Sequence, residues 1–150
     1  MKKVLFTIVA LVLSFGAKAQ VEAPVKWSYA AKKVNATEAI VFIKATIDNK
    51  WHIYGLDENG KSPIKTTLTF TPSKNYNLVG LPTQPTPVKK YEAALKAEVS
   101  YFEKSVIFQQ KVKLKAGGAN VVKGQLSYIA CNDHKCLPPE DVDFSIPLGK

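Results

Sequence analysis

The 150-residue sequence contains no arginine; its 21 basic side chains are all lysine, set against 12 acidic ones for a formal charge of +9. Nucleic-acid binders draw on arginine for bidentate contacts to bases and phosphates, so a lysine-only surface argues against that class and for ordinary solvated charge. There are only two histidines, and neither has a flanking acid at the spacing of a hydrolytic site. G-x-S-x-G and the glycine loops that cradle phosphate are also missing, which removes the familiar hydrolase and nucleotide-binding readings. After the first twenty residues no run approaches the roughly 18 apolar residues that a membrane helix needs. No repeat, low-complexity tract or interdomain linker is visible. Cysteine is almost absent too. The two that exist, Cys131 and Cys136, stand near the C-terminus with four residues between them.

What is present begins with an address. Lys2 and Lys3 precede an apolar run over residues 4–15, and Ala17-Lys18-Ala19 follows as a small-residue cleavage site. This is the layout of a secretory signal peptide over residues 1–19, with the mature chain starting at Gln20. Loss of Lys2, Lys3 and Lys18 would lower the formal charge to about +6. No cysteine follows the cleavage site, so no lipid anchor is expected. The remaining chain, 20–150, is the length of one domain with one core, without need of disulfide staples. It is expected to be exported, with no membrane insertion of the mature chain.

Within it, apolar residues alternate with polar ones in a series of short segments. Residues 25–31 carry Val25, Trp27 and Tyr29 on one side, and residues 38–48 are rich in β-branched and aromatic side chains. Further strands are expected over 51–56, 64–71, 76–79, 105–114, 121–130 and 141–148. Asn59-Gly60 supplies a turn able to take positive φ, and residues 116–120 a hairpin turn. Pro82, Pro85 and Pro87 mark an extended, edge-like connection. Residues 91–99 hold the best helix formers and read as an irregular loop or one to two helical turns. Seven to nine short strands with almost no helix predict an all-β fold, an antiparallel β-sandwich of immunoglobulin-like size. The distant cysteine pair of many such domains is missing.

The two cysteines sit instead on a strand-loop-strand, Cys131-Asn-Asp-His-Lys-Cys136, followed by Leu137-Pro138-Pro139. Closing a six-residue loop is worth only about 2 kcal/mol in the chain-entropy model, against nearly 5 for a 100-residue loop. As a staple the pair is poor. As a redox pair it is well placed, because thiol–disulfide exchange needs an attacking and a resolving cysteine that are close and reachable. His134 and Lys135 between them favour a thiolate, and Asp133 opposes it. Cys131, His134 and Cys136 are also three metal-binding donors, with His52 a conceivable fourth that nothing in the sequence places nearby. A structural zinc site shows two paired half-sites and only one is visible here, so neither a metal nor another cofactor is expected. His52, between Trp51 and Ile53, reads as an ordinary surface or half-buried strand residue.

The run from Leu126 through Tyr128, Cys131, Cys136 and Pro138-Pro139 to Val142-Asp-Phe144 resembles the N-terminal periplasmic domain of the thiol-disulfide interchange protein DsbD. Trp51-His-Ile-Tyr54 looks like that family's tyrosine-bearing strand, and residues 101–107 like the segment that follows its cap loop. The likeness spans nearly all of 20–150, although only the cysteine loop is diagnostic. It implies an immunoglobulin-like sandwich with a cap loop, acting as a thiol–disulfide oxidoreductase of the protein-disulfide reductase type in the periplasm. On that likeness Cys136 forms the mixed disulfide with a partner and Cys131 resolves it. Tyr101 and Phe102 help to shield the pair, although plain core packing explains them equally well, and Tyr54, Tyr128 and His134 support it. The implied partners are thioredoxin-like periplasmic oxidoreductases. The family's full-length proteins continue into a membrane-embedded and a thioredoxin-like domain, so a chain ending at Lys150 would take electrons from a separate membrane thiol donor. The cysteine spacing is one residue tighter than in the family, and its cap-loop acids have no clear equivalents at Val99 and Ser100. The rival expectation is an exported β-sandwich that binds a protein or a metal, with Cys131–Cys136 as a static clip.

Overall fold

In a computed structural model of the chain, which describes residues 22–57, 60–115 and 121–148, the expected sandwich is present. The signal peptide and the hairpin turn at 116–120 lie outside the described residues. Among the described residues there is no helix, and therefore none long and apolar enough to cross a membrane. The elements are β1 (Val25–Lys33), β2 (Glu38–Ile47), β3 (His52–Tyr54), β4 (Thr67–Phe70), β5 (Tyr76–Thr83), β6 (Val88–Glu92), β7 (Ala97–Glu103), β8 (Ser105–Leu114), β9 (Val121–Tyr128), β10 (Ala130–Cys131) and β11 (Glu140–Pro147). They form three antiparallel sheets, ordered β1-β2-β8-β5, β10-β3-β7-β6 and β11-β9-β4.

The first sheet is one layer and the other two share the opposite layer. Alternation along β2 turns Val41, Ile43 and Ala45 inward, and alternation along β8 does the same for Val106, Phe108 and Val112. They meet Val122, Leu126, Phe144 and Ile146 of the β11-β9-β4 sheet in one core. Aromatic pairs cross the gap: Trp27 meets Tyr128 edge-on at 5.2 Å, and Phe102 meets Phe108 at 6.1 Å. At Gly124 a Cβ would come within 2.4 Å of the Phe144 ring and 2.3 Å of the Thr69 carbonyl oxygen, so only glycine lets β9 lie this close to its neighbours.

Residues 91–99, expected as a loop or short helix, belong to a β-hairpin. Tyr91 pairs with Glu98 and Glu92 with Ala97, and the turn between them ends on Lys96 at φ 50°. Glu-Ala-Ala-Leu-Lys-Ala has good helix propensity, but ladder pairing of β6 on β7 overrides it. The strand expected over 121–130 is also interrupted. β9 stops at Tyr128 and stays paired with β11, whereas Ala130 and Cys131 leave that sheet and pair with Ile53 and His52 of β3. The cysteines are thus carried into the sheet next door. The chain changes layer at Lys104, whose φ of 63° lets β7 pass directly into β8 in the facing layer.

Candidate functional site

The site is one face of the β10-β3-β7-β6 sheet. Strand pleating sends Ala130, Ile53 and Phe102 into the main core, where all three are buried. Their neighbours in the chain face the other way. The ladder aligns Cys131 with His52 and His52 with Glu103, and Tyr54 with Tyr101, so these side chains share the opposite face. There Cys131, Tyr54 and Val99 form a small separate cluster, with Ile64, Tyr101 and Ile129 packed on it.

Cys131 and Cys136 are joined by a disulfide, with Cα atoms 4.0 Å apart. The two halves differ in access. Cys131 is only 2% exposed, while Cys136 lies on the exposed loop. Asn132 organises that loop, its Oδ1 accepting from the backbone N–H groups of His134 and Lys135, both at 2.9 Å. Two backbone bonds close it, from the Asn132 N–H to the Lys135 carbonyl and from the Leu137 N–H to the Ala130 carbonyl. Pro138 and Pro139 follow, and with no N–H to give they cannot extend the ladder. The Lys135 ammonium is paired with the Glu22 carboxylate, which ties the loop to the start of the described chain.

The other candidate residues separate by face. Tyr101 belongs to the cysteine cluster and Phe102 to the main core, as adjacent residues of one strand must. Tyr54 is buried beside Cys131, its carbonyl accepting from the Thr66 hydroxyl. Burial and the Glu92 carboxylate raise its phenol pKa. Tyr128 is in the main core, and its hydroxyl donates to Glu140 Oε2 at 2.7 Å. It therefore fastens the root of the loop, where β9 and β11 part, rather than touching the cysteine face. Burial and this hydrogen bond push its pKa far up. His134 is exposed on the loop.

The sequence offered His52 only as a conceivable fourth metal donor and otherwise as an ordinary strand residue, yet its ring sits on the cysteine face, 5.1 Å from that of Tyr101 and 5.6 Å from that of Tyr54. Only strand register reveals this, and register between distant segments is not written in local alternation. Among the described residues no group of three or more metal-ligating side chains comes together. A cavity of about 350 Å³ bordered by Leu56, Gln84, Pro87 and Ser100 is lined by neither cysteine. Cys136 alone is presented at the surface, a form suited to a protein rather than to an enclosed small molecule.

This arrangement agrees with what the chain is similar to. The family model described as thiol:disulfide interchange protein DsbD, N-terminal, matches residues 18–147. The chain belongs to the DsbD N-terminal family. Two solved structures share the fold. One is the N-terminal periplasmic domain of ScsB from Proteus mirabilis, with TM-score 0.59 and 16% identity over 88% of this chain and 49% of that one. The other comes from the complex between the DsbD N-terminal and PilB N-terminal domains of Neisseria meningitidis, with TM-score 0.55 and 15% identity over 86% of this chain and 88% of that one. The chain thus spans about half the length of the ScsB structure. Among curated protein sequences nothing matches. As a DsbD N-terminal domain it has the family's all-β, immunoglobulin-like fold and carries a disulfide-bonded cysteine pair.

Proposed function

We propose that the protein is an exported thiol–disulfide relay that passes electron pairs through Cys131 and Cys136 to oxidised thioredoxin-like proteins in the periplasm. The observation that carries this reading is the asymmetry of the disulfide, with one sulfur buried in an aromatic cluster and the other on an exposed loop. In the reduced protein Cys136 attacks the partner's disulfide because a partner can reach it. Cys131 then attacks Cys136, which releases the reduced partner and leaves the disulfide seen here. Tyr54 and Tyr101 cover the buried sulfur and limit its casual oxidation. Membership of the DsbD N-terminal family supports the chemistry, and a family structure solved in complex with a second protein's domain supports a protein partner. Residues 1–19 act as the signal peptide, so the exported protein should begin at Gln20, as N-terminal mass spectrometry can verify. Electrons arrive from a membrane thiol donor.

The test is trapping. Reduced Cys131→Ala protein mixed with an oxidised thioredoxin-like partner should accumulate a mixed disulfide through Cys136, and Cys136→Ala should not. The opposite pattern would reverse the roles, and no adduct with either variant would end the relay reading. A potential between about −120 and −270 mV is expected, whereas a static clip would lie below roughly −300 mV.

A further inference from the structure

The resolving step poses a problem of proton transfer. Cys131 must attack as a thiolate, yet burial strips a thiolate of hydration and holds the proton on sulfur. At 2% exposure, bulk water is a poor acceptor for it. A base has to lie on the same face of the sheet.

We propose that His52 is that base, accepting the Cys131 thiol proton as the mixed disulfide is resolved; the inference rests on the relay reading above. His52 is the direct cross-strand partner of Cys131 on β3. Residues so paired project from one face, with Cα atoms about 4.5–5.5 Å apart. Among the described residues no other titratable side chain holds an equivalent position. Glu103 is on β7, separated from β10 by β3; Lys90 and Glu92 are one strand further, on β6; Asp133 is exposed in the loop. Tyr54 is diagonal to Cys131, and its raised pKa keeps it protonated. The rings of Tyr54 and Tyr101 flank the imidazole at 5.6 and 5.1 Å and restrict its motion. Burial, the largest influence, holds the His52 pKa below the ordinary value; Lys90 acts in the same sense, and Glu103, Asp133 and Glu92 oppose it. The ring is neutral at neutral pH and free to take a proton.

The step balances. The Cys131 proton moves to an imidazole nitrogen, and the thiolate forms the bond to Cys136 Sγ. The Cys136–partner bond breaks, the partner sulfur leaves as a thiolate with that bond's electron pair, and the imidazolium then releases its proton to solvent.

The aromatic disulfide dithiobis(nitrobenzoate) resolves the two events by stopped-flow absorbance, because each reacting cysteine releases one coloured thiolate. The first release reports Cys136 attack and the second reports resolution by Cys131. In the unsubstituted reduced protein the second phase should rise through an inflection below the ordinary histidine value of about 6.5 and then level off. His52→Gln should leave the first phase unchanged and slow the second on the order of 10²-fold at neutral pH, with the rate now climbing into the alkaline range. A second phase whose rate and pH profile are unchanged in His52→Gln overturns the proposal. So does an inflection in the unsubstituted protein only at thiol-like values near or above about 8.5, a measurement that needs no variant to fold. The relay reading fails separately: there the trapping experiment gives no adduct through either cysteine, whatever His52 does.

Discussion

The two faces of the β10-β3-β7-β6 sheet are built from adjacent residues and have little else in common. Ala130, Ile53 and Phe102 are buried among the apolar side chains of the sandwich. Cys131, His52, Tyr54 and Tyr101 lie one residue away, and they form a sulfur, imidazole and phenol surface. One backbone thus serves packing and chemistry at once, because a strand's period of two delivers consecutive side chains to opposite sides. The core face anchors the sheet in the sandwich. The outer face can then carry groups chosen for reactivity rather than for cohesion.

This division can be broken from either side. Phe102→Ala should cost the most, about 3–5 kcal/mol in denaturant unfolding, because it opens a cavity against Phe108. Its neighbour Tyr101→Ala should be milder in stability and should instead hasten oxidation of the reduced pair in air; equal losses of stability would erase the distinction between the faces. Reduction of Cys131–Cys136 should lower stability by no more than about 2 kcal/mol, as a six-residue loop allows. A much larger loss would make the bridge a structural element. Tyr128→Phe removes a hydrogen bond to the partly solvated Glu140 carboxylate, and a loss of about 1–2 kcal/mol is expected with little change in the redox potential. The smallest effect concerns pH. The folded-state pKa of His52 is depressed, so below about 6.5 the unfolded chain binds the extra proton, and stability falls as pH drops through that window. His52→Gln should flatten this part of the curve.

Much of the frame was legible in the sequence. Alternation placed the inward residues of β8 correctly, since that strand buries one face only, and Leu126, Phe144 and Ile146 followed the same rule; β2 was legible as a strand from its β-branched and aromatic content. The cysteine loop was legible because its chemistry is local, held in six consecutive residues with prolines behind. Three features were not. The β6–β7 hairpin hid behind helix-forming residues whose preference tertiary pairing overrode. The departure of Ala130 and Cys131 from β9 depends on β3 offering them a ladder, which Ile129 does not announce. His52 remained an ordinary strand residue for the same reason, since its importance comes from a partner almost eighty positions away.

The hydrogen bonds of the cysteine loop involve no sulfur. The bonds made by Asn132 and the two backbone bonds that close residues 130–137 do not run through the bridge, so the loop should hold the thiols near one another after it opens. The loop therefore confers a high effective molarity on Cys131 toward the mixed disulfide at Cys136. A partner captured there competes with an intramolecular thiol already in place, and its lifetime is short by construction. Asn132→Ala, which frees the turn without touching either cysteine, should lengthen the life of the adduct while leaving the rate of its formation nearly unchanged.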